Sequence, residues 1–348
     1  PQRVVYNLVH GLATKGLEVD LVQAVKRSEQ PPLPLNVNVV WLGARRVSTS
    51  ILALAHYLQR RRPRVMLSVM EHPNIVAVWA REVSRVPVRL VLSEHTVLSG
   101  SRMEGLGLKA EIIKRLTRHT YPRADRIIAV SNGVAEDLRR RLGHREDLIS
   151  VIYNPVITDE MFRQAEEPVA HPWFTESQDP IILAVGRLSP EKDFGTLLHA
   201  FAKVRRALPA KLVILGEGPE RSRLESLAVS LNISHVVSMP GFVSNPYPYM
   251  KRADVFVLSS VREGLPTALI EAMALGTPVV ATDCETGPRE ILRNGQLGRL
   301  VNVGDAGMLA EAIVKAILER GPKVHVNELK LYTLDTAVNS YCRELGLV

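Results

Sequence analysis

Two glutamates, Glu263 and Glu271, stand eight residues apart in SSVREGLPTALIEAMALGTPVVATDC (259–284), with Gly264-Leu265-Pro266-Thr267 directly after the first. Pro266 suits the first turn of a helix, where its missing N–H costs nothing. Gly276 suits the stop after that helix, ahead of Thr277-Pro278. A helix opening here leaves backbone N–H groups of the 264–267 turn pointing outward, and such a terminus favours an anion by about 0.3–1 kcal/mol. Gly264 admits close approach to the backbone. Glu263 lies just outside the turn. Glu271 lies about one turn inside, its side chain slanting back toward the helix start. Carboxylates are poor phosphate partners but good acceptors for paired hydroxyls. N–H groups for a phosphate beside carboxylates for hydroxyls fit a nucleotide-sugar pocket. The competing reading is a solvated loop glutamate at 263 and an exposed helix glutamate at 271.

Four other segments carry chemistry. In AVGRLSPEKDFGTLLHAF (184–201) a strand ends at Gly186, Arg187 follows, and Lys192 comes five residues later. Two cations beside a helix start can neutralise a diphosphate, Arg bidentately and Lys as a point charge. A surface pair between Lys192 and Glu191 or Asp193 is the alternative, and Asp193 suits the N-cap of the helix from Phe194. LGEGPERSRLESL (215–227) reads as a tight strand-to-helix turn at Gly218-Pro219, not a dinucleotide fingerprint. VRLVLSEHTVLSG (88–100) delivers Ser93, Glu94 and His95 to a strand end, where His95 can bond a substrate oxygen or serve structure. MEHPN (70–74) and AVSNGVAEDL (129–138) end strands on the same rim, with Ser131 or Asn132 as a cap. GLKAEIIKRLTRHTYPRADR (107–126) gathers Lys109, Lys114, Arg115, Arg118, Arg123 and Arg126 around the apolar Ile112, Ile113 and Leu116. Such a helix fits an anionic membrane surface or an ordinary basic solvent face.

These segments need a frame. Apolar, β-branched runs near 18–25, 38–42, 65–70, 88–93, 126–130 and 149–152 alternate with helical patterns near 2–15, 48–61, 73–84, 105–121 and 133–142. The alternation repeats with strands near 181–186, 211–215, 236–239, 254–258, 278–281 and 298–301. That is the pattern of parallel sheets covered on both faces. The expected class is α/β: two doubly wound, Rossmann-like parallel-sheet domains facing a cleft, with ligands beyond the carboxyl ends of the strands. The expected organisation is a first domain at 1–157, a Pro-rich polar linker at 158–180, a second domain at 181–330 and a last helix at 331–348.

The 348 residues carry a net charge of +8. It is uneven: residues 1–157 hold 24 Lys and Arg against 13 Asp and Glu, and residues 158–348 hold 20 against 23. A basic first half suits an anionic partner. Aromatic residues make up 5%, too few for a base-stacking platform, so nucleic acid is not expected. Two cysteines, Cys284 and Cys342, form neither a disulfide framework nor a zinc cluster, which points to a reducing, cytoplasmic compartment. No apolar run spans a bilayer, and no His, Cys and Asp cluster has ligand spacing, so no metal is expected.

In order along the chain, GRLSPEKDFGTLLHAF, GEGPER, PGFVSNPYPYMKRADVFVLSSVREGLPTALIEAMALGTPVVATDC and GPREIL resemble the retaining glycosyltransferases of the GT-B fold, family 4. The resemblance implies that Glu271 holds ribose hydroxyls. It implies that Glu263 faces the donor sugar with Gly264, Leu265, Pro266 and Thr267, and that Gly186, Arg187 and Lys192 meet the departing diphosphate. It sets His95 near the transferred sugar. It also implies an opening strand and a glycine-rich loop, and PQRVV resembles the residues just after that loop. It implies acceptor binding in 1–157 and donor binding in 181–330, and YTLDTAVNSYCRELG resembles the family's last helix, which crosses back to the first domain. The expected activity is metal-independent transfer, with retention, from a nucleoside-diphosphate sugar, UDP-linked, to a lipid-linked or polysaccharide hydroxyl. That would take place on the cytoplasmic side, peripherally at an anionic inner membrane face. An epimerase or phosphorylase on the same plan, and a non-catalytic sugar-nucleotide-binding subunit, are the alternatives.

Overall fold

A computed structural model describes residues 2–25, 32–97, 108–319, 321 and 324–347. The chain divides into two compact units, Pro1–Pro155 with Leu331–Val348, and Val156–Lys330.

In the first unit, β1 (Val19–Gln23) and β2 (Val37–Trp41) pair in parallel. β3 (Val65–Val69), β4 (Arg89–Glu94), β5 (Arg126–Ala129) and β6 (Ile149–Val151) form a second parallel sheet in that order. Parallel neighbours need crossover connections, and helices Glu71–Ser84, Leu108–Thr120 and Asn132–Leu142 supply the three in this second sheet, while Ile51–Arg61 leads from β2 to β3. Met66 packs with Leu54, Leu58, Val76 and Ala80, while Val65 and Leu67 pack with Leu8, Leu12, Val91 and Ile128. This alternation along β3 assigns the two apolar layers to opposite faces of the sheet. The second layer also takes in Val338, Tyr341, Cys342 and Leu345 from the helix Leu334–Leu345. Their i, i+3, i+4, i+7 spacing is one helix face. That helix packs on Gln2–Thr14 so closely that a Cβ on Gly11 would lie 2.4 Å from Val338 Cγ2.

The second unit is one parallel sheet of six strands in the order β12-β11-β10-β7-β8-β9. The strands are β7 (Ile181–Val185), β8 (Lys211–Leu215), β9 (Val237–Gly241), β10 (Val255–Leu258), β11 (Val279–Thr282) and β12 (Arg299–Val301). The chain runs outward from β7 to β9, then returns to lay β10 on the other side of β7. The two directions of winding part between β7 and β10, and a crevice opens at the carboxyl ends of such a pair. Helix Phe194–Ala207 buries Phe194, Leu197, Leu198, Phe201 and Val204 beneath the sheet's apolar layer.

Some expectations need correction. The stretch 158–180, expected as a linker, folds into the second unit. Thr158 Oγ1 accepts from Met161 N at 3.1 Å and caps a helix Asp159–Ala165, which buries Met161 and Ala165. Arg252 donates to the Ala165 carbonyl, Asn245 to the Gln164 carbonyl, and Lys251 pairs with Glu166. Pro266 is not inside the first turn: it is the extended N-cap (ψ 94°), and the helix is Thr267–Ala274. The helix expected at 105–121 is Leu108–Thr120; residues 98–107 and the Lys109 side chain lie outside the described residues. No helix among the described residues is long and apolar enough to cross a membrane.

Candidate active site

The loops that leave β7 and β10 carry most of the residues singled out above. After β7, Gly186 accepts the stem of Lys192: a Cβ there would sit 3.5 Å from Lys192 Cδ and Cε. Arg187 is exposed, and its guanidinium has no partner among the described residues. Lys192 reaches across the switch point, and its Nζ lies 2.6 Å from Glu263 Oε1. Neither Glu191 nor Asp193 holds it. Asp193 instead accepts from Thr196 N at 3.2 Å and caps the helix Phe194–Ala207, as its position suggested.

The two loops are tied to each other. Val261 N donates to Glu191 O at 3.0 Å, and Ser259 Oγ donates to Lys192 O at 2.8 Å. Ser260 Oγ donates to Glu263 Oε1 at 2.6 Å. Glu263 therefore takes a lysine and a serine on one oxygen. Its backbone carbonyl accepts from Thr286 Oγ1. Beyond it, the N–H groups of Leu265 and Thr267 have no hydrogen bond among the described residues. Glu271 is 6% exposed, which removes the reading of an exposed helix position. Tyr247 Oη donates to its Oε1 at 3.4 Å. Together these features offer a cation, an unsatisfied helix start and two fixed carboxylates.

Glycines set the rim. Gly216 (φ +147°) lies so near the β7 loop that a Cβ would fall 1.8 Å from Gly186 O, and one on Gly218 would fall 2.2 Å from Leu188 O. The 215–221 segment is thus a tight turn packed on the β7 loop. Gly287 (φ +95°) backs the other loop, where a Cβ would meet Pro266 Cδ at 2.4 Å. Ser260, Tyr247, Thr286 and Gly287 were not assigned roles from sequence. Only the Gly287-Pro288 dipeptide carried a local signal of a constrained backbone. Nearby, burial pushes the Cys284 thiol up to about 12, with the Glu263 charge adding to the rise.

His95 belongs to the first unit, just beyond the end of β4. It is 8% exposed, and burial holds its ring down to about 3, so it is neutral at ordinary pH. Its backbone N–H donates to Glu94 Oε1 at 3.1 Å, and Tyr121 Oη donates to Glu94 Oε2 at 2.7 Å. Full burial lifts the Glu94 carboxyl to about 7 against the pull of these donors. Ser131, at the end of β5, caps its helix by accepting from Val134 N at 3.2 Å.

Residues 169–328 match the family model of glycosyl transferases group 1, and residues 1–160 match that of glycosyltransferase family 4. The chain is 34% identical over 250 residues to the N-acetylgalactosamine-N,N'-diacetylbacillosaminyl-diphospho-undecaprenol 4-alpha-N-acetylgalactosaminyltransferase of Campylobacter jejuni, across 72% of this chain and 66% of that protein. It is 35% identical over 170 residues to the lipopolysaccharide core biosynthesis glycosyltransferase LpsE of Rhizobium meliloti, across 49% of this chain and 48% of that one. The chain thus spans 66% and 48% of the length of these two relatives. Its fold matches that of Anabaena HepE in complex with UDP and glucose, with a TM-score of 0.74 at 19% identity over 90% of this chain and 86% of the other. The two model matches together cover most of the sequence, and the chain belongs to the group 1 glycosyltransferases, with the GT-B architecture.

Proposed function

We propose that the chain is a retaining glycosyltransferase that moves a sugar from a UDP-linked donor to a hydroxyl of a lipid-linked or polysaccharide acceptor. The observation that carries this reading is the Lys192–Glu263 pair across the β7/β10 switch point, with the Thr267 helix start and the buried Glu271 alongside. Glu271 accepts the ribose hydroxyls. Arg187, Lys192 and the N–H groups of the turn stabilise the charge that develops on the departing diphosphate, a role that two protein cations fill without a metal ion. Glu263 faces the donor sugar. The leaving phosphate assists attack by the acceptor hydroxyl on the same face of the sugar, which preserves the anomeric configuration. The names of the Campylobacter and Rhizobium relatives support an acceptor in lipid-linked oligosaccharide or lipopolysaccharide assembly.

The test is calorimetry with UDP and GDP, followed by transfer assays with proton NMR of the anomeric signal. UDP should bind, and Glu271→Ala should weaken it about tenfold or more through loss of a charged acceptor. UDP affinity that is indifferent to Glu271, Lys192 and Arg187 substitutions would remove the reading. A donor interconverted without any acceptor would point to an epimerase.

The acceptor side of the proposal is an anionic membrane surface at the cytoplasmic face. Its support is the helix Leu108–Thr120, which exposes Ile112 and Leu116 beside exposed Lys114, Arg115 and Arg118. Vesicle flotation should recover the protein with phosphatidylglycerol vesicles and not with phosphatidylcholine alone. Equal recovery in both sinks the membrane part.

A further inference from the structure

Ser93, His95 and Tyr341 form a buried hydrogen-bonded chain inside the first unit. Ser93 Oγ lies 3.1 Å from His95 Nε2 and 3.1 Å from Tyr341 Oη. Ser93 and Tyr341 are 0% and 1% exposed. Each hydroxyl carries one proton, and a buried donor needs an acceptor. Burial lifts the Tyr341 phenol to about 12, so it keeps its proton. Ser93 Oγ is the acceptor that proton has among the described residues, so the phenol donates to Ser93. The Ser93 proton then goes to the remaining partner, the lone pair of His95 Nε2. A neutral imidazole that accepts at Nε2 carries its own proton on Nδ1. His95 Nδ1 has no hydrogen bond among the described residues.

We propose that Tyr341 and Ser93 are positioning residues that lock His95 in the Nδ1–H tautomer, so that the ring offers a hydrogen-bond donor to an oxygen of the sugar being transferred. This rests on the reading of His95 as the residue that faces that sugar. Free histidine in water favours the opposite, Nε2–H form, so the hydroxyl chain reverses the intrinsic preference. The backbone below the ring is held separately. Glu94 Oε1 accepts from the N–H groups of His95 and Thr96 and from the Thr96 hydroxyl. Tyr121, bonded to the other Glu94 oxygen, accepts from Asn74 Nδ2 at 3.1 Å. Position is thus set by Glu94 and proton placement by the C-terminal helix.

The experiment is long-range proton–nitrogen NMR on the full chain with labelled histidine, beside steady-state transfer kinetics. The wild-type His95 signals should show the Nδ1–H pattern. Tyr341→Phe and Ser93→Ala should each shift it toward Nε2–H, with kcat down about tenfold, the worth of one hydrogen bond, and KM for the donor little changed. An Nε2–H pattern in the wild type, or a pattern unmoved in both variants, overturns the lock. A shifted tautomer with full-rate transfer, where His95→Ala abolishes transfer, overturns its tie to the reaction. Full-rate transfer by His95→Ala instead takes His95 out of the site itself, whatever the spectra show, and leaves the UDP-binding tests standing.

Discussion

On the proposed reading, Glu263 and a diphosphate would compete for one ammonium. Lys192 Nζ is 2.6 Å from Glu263 Oε1, and the two side chains are 22% and 10% exposed, so their attraction is only partly screened. Glu263→Gln keeps the shape, removes a negative charge beside the phosphate position and releases the lysine. The variant should bind UDP more tightly than wild type, on the order of three- to tenfold, while losing most of its transfer activity. Weaker UDP binding by calorimetry would show that the pair does not compete with the phosphate. Lys192→Ala should lose both binding and transfer. The two residues are legible in the sequence because their types suit the chemistry, but their pairing is not, since 71 positions separate them. His95 gives a second prediction at this scale. Its folded pKa is depressed to about 3, so below the ordinary 6.5 the unfolded chain takes up a proton that the folded one refuses. Stability from this group is present above pH 6.5 and is lost as pH falls toward 3. His95→Gln should therefore gain on the wild type by about 1.4 kcal/mol per pH unit over that range. Hydrogen exchange in β4 and β5 measures it, and a pH-independent difference would mean the ring titrates normally.

Strands, helices and their caps were largely readable because their causes are local. The β-branched runs gave the strands, and Asp193 and Ser131 gave caps by the ordinary N-cap hydrogen bond. Two element-level misreadings have physical reasons. The Asp159–Ala165 helix spans seven residues, too few turns for its two buried positions to stand out as a period. Pro266 falls at the N-cap instead of inside the first turn because its fixed φ suits both positions, and local sequence does not separate helix boundaries by a single residue. The order β12-β11-β10-β7-β8-β9 is not local at all, and it alone makes the loops after β7 and β10 neighbours. That dependence is testable at Gly287. A methyl there would overlap Pro266 Cδ at 2.4 Å and would also force a side chain into φ +95°. Gly287→Ala should displace the 263–267 turn and weaken UDP binding about tenfold or more, with a stability loss of about 1–3 kcal/mol in the second unit. Ala tolerated at 287 with native UDP affinity would mean the turn is held by Thr286 and Ser260 without that buttress.

The groups proposed to hold the nucleoside diphosphate, from Gly186 to Glu271, lie within Val156–Lys330, which has its own six-stranded sheet and its own apolar layer. His95 and the hydroxyl chain that sets its proton lie in the other unit, which closes with the last helix of the chain. The division predicts two different truncation outcomes. A chain ending at Lys330 uncovers Leu8, Leu12, Val91 and Ile128, which Val338, Tyr341, Cys342 and Leu345 cover. Removing four buried side chains worth roughly 1.5–3 kcal/mol each exceeds much of what an ordinary domain has to spare. The first unit should then lose its protection against hydrogen exchange and, with it, all transfer. The fragment 156–330 should by contrast remain folded and bind UDP with an affinity near that of the whole chain, because no cation or carboxylate proposed for the diphosphate and ribose comes from outside it. Calorimetry on that fragment decides the matter. A folded fragment that no longer binds UDP would mean that the first unit supplies nucleotide contacts of its own, and the assignment of donor binding to Arg187, Lys192 and Glu271 would then be incomplete.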